Sequence, residues 1–188
     1  MAGLFDQIKT AGVGLAGKIK GAYDWFISLI KSLLSGKVDP TGTFVKVGRP
    51  KIGSMYCYIY DAKYKDILPF FDTFPLVMPI EYYNNGFLGI NFHYLPPALR
   101  VELLNALMAI ESSSDLSENR RLNLSYRILR DSAIKYSMYN NCVKRYLYTH
   151  VQGGYLYINP KDWEKVLVLP LQRWHINRNP KYSGSPPY

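Results

Sequence analysis

Leu15, Ile19, Ala22, Phe26, Leu29 and Leu33 recur at a four-three-four-three-four spacing. That spacing sets them on one stripe of a helix, a seam for a partner helix or a docking surface, with Lys9, Lys20, Asp24 and Lys31 on the opposite side. Lys18, Lys20, Asp24 and Lys31 interrupt any apolar run long enough to cross a bilayer. Asp6, where a basic leader region would stand, argues against a cleaved signal. Gly12, Gly14, Gly17 and Gly21 weaken the first turns by about 1 kcal/mol each relative to alanine, so the helix needs a surface to lean on. That surface is a partner, the chain's own domain, a membrane face or DNA. Residues 1–36 are therefore expected to be an amphipathic helical extension. Residues 37–51, with Asp39-Pro40, Gly42, Gly48 and Arg49-Pro50, read as a linker.

From residue 52 the period changes. Met55, Cys57 and Ile59 alternate with Tyr56, Tyr58 and Tyr60, a strand apolar or aromatic on both faces, ended by a turn at Asp61-Ala62-Lys63. Phe74 to Ile80 is an apolar run containing Pro75 and Pro79, which predicts a strand that is short, at an edge or bulged. Asn84, Asn85 and Gly86 mark a tight hairpin, and Phe87, Leu88, Ile90, Phe92 and Tyr94 form the return strand, with Gly89 leaving room for close backbone approach. Pro96 and Pro97 open a helix whose apolar positions are Leu99, Leu103, Leu107 and Ile110. Beyond a polar loop at 112–119, helices are expected at Leu122–Tyr136 and Asn140–His150. Gly153-Gly154 then reads as a break, Tyr155–Ile158 as a short strand, and Pro160 as the start of a last helix ending near Pro170. Strands early and helices late predict an α+β core over residues 52–170, a small antiparallel sheet or partly open barrel capped by C-terminal helices, with the N-terminal amphipathic helix on its linker. Residues 171–188 are read as an extended basic tail, which is expected to be ordered only on a surface supplied by an assembly.

Composition sharpens this in two ways. The 188 residues include 17 tyrosines, whose apolar bodies and polar tips suit interfaces and stacking surfaces as well as half-buried sheets. The formal net charge of +9 favours a polyanionic neighbour, nucleic acid or an acidic protein. Arg120, Arg121, Arg127, Arg130, Lys135, Lys144 and Arg145 concentrate that charge, interleaved with Tyr126, Tyr136, Tyr139 and Tyr146. Arg173, Arg178 and Lys181 continue it into the tail. These ten cations are the candidate DNA-binding or partner-binding groups, able to neutralise phosphates while tyrosines stack on bases at a frayed end. The alternative is a solvated helix face whose arginine stems cover apolar surface.

Nothing in the chain spells out catalysis. Cys57 and Cys142 have no metal spacing, and His93, His150 and His175 are scattered, so neither a metal nor any cofactor is expected. There is no nucleophile elbow, phosphate-binding glycine loop or dinucleotide fingerprint. Asp61, Asp66 and Asp72 lie near one another, yet without accompanying Glu and Lys they read as turn and cap residues rather than a nuclease centre.

Five segments carry a resemblance: Gly53-Ser54-Met55-Tyr56, LPFFDTFPLVMPI from Leu68, GFLGINFHYLPP from Gly86, Cys142-Val143-Lys144-Arg145-Tyr146-Leu147, and Tyr157-Ile158-Asn159-Pro160-Lys161-Asp162-Trp163. Across roughly residues 50–172 the chain is similar to a virion protein of T-even-like tailed bacteriophages, the DNA end protector family. The resemblance implies a non-enzymatic protein, built into the virion in the host cytoplasm, at the head–tail junction (neck) or the genome terminus, shielding linear DNA from host exonucleases. Its partners would be portal, neck or tail components in a symmetric assembly, and double-stranded DNA ends. Two other functions stay open: a structural adaptor of neck, tail or baseplate that contacts acidic protein instead of DNA, and a membrane-active factor using residues 1–35 at genome entry.

Overall fold

A computed structural model describes residues 14–35, 45–68, 70–136, 142–169 and 175–176. Six antiparallel strands form an open sheet: β1 (Val45–Val47), β2 (Met55–Tyr60), β4 (Leu76–Tyr83), β5 (Gly86–Asn91), β6 (Val143–Leu147) and β7 (Val151–Ile158), in the spatial order β1-β7-β2-β4-β5-β6. A small second sheet pairs β3 (Phe70–Phe71) with β8 (His175–Ile176). The helices are α1 (Gly14–Ser35), α2 (Pro97–Glu111), α3 (Glu118–Tyr136) and α4 (Trp163–Val168). The class is α+β with an unclosed sheet.

The alternation in β2 sorts the sheet into two faces. Met55 and Cys57, with Leu76, Met78, Ile90, Leu156 and Ile158 from the neighbouring strands, face the helices and form the main core. Tyr56, Tyr58 and Tyr60 face the other way, with Val77, Phe87, Tyr146 and Tyr155. This second face curls: the rings of Phe87 on β5 and Tyr155 on β7 are 6.1 Å apart although two strands lie between theirs in the sheet order. Only residues 148–150 join outer strand β6 to β7, and Tyr60 at the end of β2 accepts a hydrogen bond from the Leu147 amide at 3.3 Å. The hollow is packed with rings, edge to face at 5.0 Å for Tyr58–Tyr155 and 5.1 Å for Tyr60–Tyr146, an arrangement that adds to simple burial.

Of the forms expected for the proline-bearing strand β4, the structure shows the bulge, in an interior strand: Pro79 pairs with Gly89 and Glu81 with Leu88, leaving Ile80 as an extra residue. Several other local expectations need correction. Residues 143–147, expected within a helix, form strand β6 on β5, and Tyr148–His150 make one 3-10 turn. Gly153 and Gly154 do not break the chain but sit inside β7 at φ 75° and 89°, where β7 carries two more residues than β2 between the pairs Cys57–Leu156 and Ile59–Gln152. Val45–Val47, inside the stretch read as linker, adds an edge strand to β7.

α1 lies against its own sheet and α4. Ala22, Phe26, Leu29 and Leu33 of the seam are buried and are joined by Trp25, whereas Ile19 is 38% exposed. Leu15 falls in the first turn of α1. Buried Arg100 of α2 donates to the Val166 and Leu169 carbonyls at 3.1 and 3.2 Å, satisfying acceptors that the end of α4 leaves open. The second hairpin strand depends on a missing side chain. A Cβ at Gly86 would overlap the Tyr146 carbonyl, so Gly86→Ala is expected to cost about 2–3 kcal/mol in denaturant unfolding by forcing β5 and β6 apart.

Candidate functional site

Where the curled sheet stays open, a cleft of about 400 Å³ runs between the 62–71 segment and β6. One wall comes from the turns after β2. The Leu68 amide bonds to the Tyr64 carbonyl at 2.8 Å and Lys65 pairs with Asp61 at 2.7 Å, so Lys63 and Tyr64 are held at the rim with Leu68 and Phe71 behind them. The opposite wall is β6. Its alternation turns Lys144 and Tyr146 toward the tyrosine-lined face, while Arg145 reaches the rim. The floor is Tyr60, Asp72, Tyr94 and Tyr146.

Asp72 anchors this floor. It is only 6% exposed, and both its oxygens are engaged. The Phe74 amide donates to Oδ1 at 3.0 Å, and Asn91 Nδ2 and His93 Nδ1 approach Oδ2 at 3.1 and 2.8 Å. The contact between Asp72 and the His93 ring is buried on both sides. Asn91 Nδ2 also donates to the Tyr146 hydroxyl at 3.0 Å, and Asn91 Oδ1 accepts from the His93 amide at 2.9 Å, so β3, β5 and β6 are tied through one buried carboxylate. Asp72 thus acts as a turn and cap residue. Burial drives the hydroxyls of Tyr58 and Tyr146 well above the ordinary tyrosine range, keeping the ring-filled face neutral.

Lys144 sits at the boundary between that face and the cleft. Its ammonium lies 3.8 Å from the centre of the Tyr94 ring. Burial lowers its pKa from 10.5 to about 8, with Asp72 and Cys142 acting in the opposite direction. The folded value lies below the unfolded one, so holding the proton opposes folding. That cost is full below pH 8 and fades as the pH rises from 8 to 10.5. Between pH 7 and about 9.5 the protein is expected to gain about 2 kcal/mol relative to a Lys144→Met variant, read from paired unfolding curves. Equal pH profiles for the two proteins would contradict this. Arg145 is exposed; it donates to Asn85 Oδ1 at 2.6 Å and stacks 4.6 Å from the Tyr83 ring. Among the described residues no group of His, Cys, Asp and Glu side chains could hold a metal ion.

A cleft rimmed by cations and tyrosines suits a ligand that is anionic and aromatic. Comparison with known families agrees: the model of the Phage T4 terminal DNA protecting protein matches residues 4–186. The chain belongs to this family. No curated protein and no solved structure gives a match. The match takes in the N-terminal helix, which the sequence resemblance over residues 50–172 left out.

Among the described residues the expected cations fall on two surfaces. Arg120, Arg127 and Arg130 are exposed on α3, and Arg121 donates to the Glu111 carbonyl at 3.4 Å; Lys135 lies near the end of the same helix. α3 packs on α2 over the helix-covered face. Lys144 and Arg145 belong to β6 and the cleft instead. Tyr146, expected to interleave with arginines, is 3% exposed and committed to the aromatic face. Arg173, Arg178, Lys181 and Tyr139 lie outside the described residues. Lys63, Tyr64, Phe71, Asn85 and Tyr94 escaped sequence reasoning because they come together only when β6 folds over the turns after β2. A basic residue followed by a tyrosine at Lys63-Tyr64, and a lysine and arginine inside a tyrosine-rich strand, were the available signals. Cys57 and Cys142 are both buried thiols.

Proposed function

We propose that the protein is a virion component that protects the genome by binding directly to its DNA termini, through occupancy rather than catalysis. The observation that carries this reading is the gathering of Lys63, Lys144 and Arg145 with Tyr60, Tyr64 and Tyr94 around one cleft at the open side of the sheet. Cations answer the phosphates, and the exposed Tyr64 ring offers a face to a base that is unpaired at a fraying end, while Tyr60 and Tyr94 form the buried floor beneath it. The interior of a duplex presents only phosphates to such a cleft, so ends are favoured over closed DNA. Placement at the neck or genome terminus follows from that role. In electrophoretic competition at fixed salt, linear duplex is expected to displace a labelled linear probe, and a relaxed circle of the same sequence to do so poorly per unit mass. Equal competition by both would overturn the reading.

The α3 arginines support a second contact. Their face is separate from the cleft, which favours an acidic neighbour protein in the neck or tail as their partner. In an assembled particle Arg120, Arg127 and Arg130 are expected to lie within ion-pair distance of that neighbour's carboxylates. The packing of α1 speaks against the membrane-active reading, since Phe26, Leu29 and Leu33 lie in the core. Among the described residues, no helix is long and apolar enough to cross a membrane.

A further inference from the structure

We infer that the cleft between the 62–71 segment and β6 is a socket for one 5′-phosphorylated terminal nucleotide, splayed from the DNA end. This inference rests on the end-binding reading and states what part of the end is recognised. Three observations point to it. First, the size fits: a volume near 400 Å³ lies at the lower end of small-ligand pockets, about that needed for a single nucleotide and too small for a duplex. Second, the chemistry is divided as a nucleotide is divided. Tyr64, Leu68 and Phe71 supply an aromatic and apolar wall for a base, and Lys63, Lys144 and Arg145 stand at the rim and opposite wall for a phosphate. Third, the carboxylate in the floor is held in place by the Phe74 amide, Asn91 and His93, and its charge is offset by the Lys144 ammonium, with which it interacts favourably.

The phosphate preference follows from charge. A terminal phosphomonoester approaches two negative charges at neutral pH, whereas each internal diester carries one, so a site with three cations against the single Asp72 carboxylate discriminates in favour of the terminus. Lys144 adds to this, since an anion beside a half-buried ammonium replaces part of the solvation that burial removed. The terminal base pair is also the one whose opening costs least. A socket that requires an unstacked terminal nucleotide therefore excludes closed circles by geometry. It also hides the nucleotide that an exonuclease must engage first.

The test uses the full chain and blunt duplexes labelled at an internal base, bearing either 5′-phosphate or 5′-hydroxyl, with deoxyadenosine monophosphate and deoxyadenosine as free probes. The phosphorylated duplex is expected to bind about tenfold more tightly than its hydroxyl counterpart. The monophosphate, and not the nucleoside, is expected to compete. Lys63→Glu, on an exposed side chain, and Lys144→Met are each expected to abolish the preference, with circular dichroism confirming their folds. Lys20→Glu on the outer side of α1 makes the same change of charge as Lys63→Glu and is expected to retain it. Equal binding of phosphate and hydroxyl ends, or a preference that survives in both cleft variants, would overturn the socket while leaving preference for linear over circular DNA intact. Monophosphate binding that depends on Lys63 without any preference for linear DNA would instead overturn the end-binding reading, and with it the terminal-nucleotide socket that rests on it.

Discussion

Asp72→Ala is expected to destabilise the protein by about 3–5 kcal/mol in urea or guanidinium unfolding. One carboxylate accepts from the Phe74 amide and the Asn91 amide group and contacts the His93 ring, all in a region where Asn91 is 0% and His93 1% exposed. Alanine leaves those donors facing a void that solvent does not fill well, and each buried donor so stranded costs about 1–3 kcal/mol. Lys144 is also touched, because Asp72 favours its charged form. Asp72→Asn preserves the shape and keeps an oxygen for the Phe74 amide, so it should cost clearly less than alanine. A loss below about 1 kcal/mol for Asp72→Ala would show that the network does not hold β3, β5 and β6 together.

Removing residues 1–35 should have the larger consequence: a chain that does not fold to a soluble monomer. Trp25, Phe26, Leu29 and Leu33 are all 8% exposed or less, and each fully buried large apolar side chain contributes about 1.5–3 kcal/mol. Taken together with Ala22, their burial is worth about 10 kcal/mol, comparable with the whole stability of a typical domain. The loss extends beyond α1, because Leu156, Ile158 and Trp163 belong to the same core and lose part of their cover. Leu29→Ala gives the graded version, at about 3–4 kcal/mol. A truncated chain with an unchanged, cooperative unfolding transition would make α1 a dispensable tether. The same packing explains how a helix with glycines at 14, 17 and 21 forms at all, since tertiary burial outweighs their propensity cost.

What the sequence discloses depends on how local the determining contacts are. The Asn84-Asn85 hairpin, the Pro97 helix start and the two-faced β2 strand are written in adjacent residues, and all are found in the structure. Residues 143–147 mislead because Val-Lys-Arg-Tyr-Leu suits either period. Its strand form is decided by pairing with β5, where Gly86 and Gly89 admit it closely and where no local signal operates. The Gly153-Gly154 pair looks like an interruption because a bulge and a break use the same residue for the same φ > 0. Its neighbours Val45–Val47 reveal the difference only by pairing with β7. The cleft is the least legible feature. It draws on residues 60–72, 85, 94 and 144–147, and the charge count that singled out Arg120–Arg145 has no means of knowing that its last two members turn away from α3.

The most direct measurement is exonuclease digestion of a linear duplex carrying the protein at about one molecule per end, beside endonuclease cutting of the same duplex at an internal site. Digestion from the ends is expected to fall steeply while internal cutting proceeds at its unprotected rate. Exonuclease progress equal to that on bare DNA, or equal suppression of internal cutting, would contradict protection by capture of the terminus.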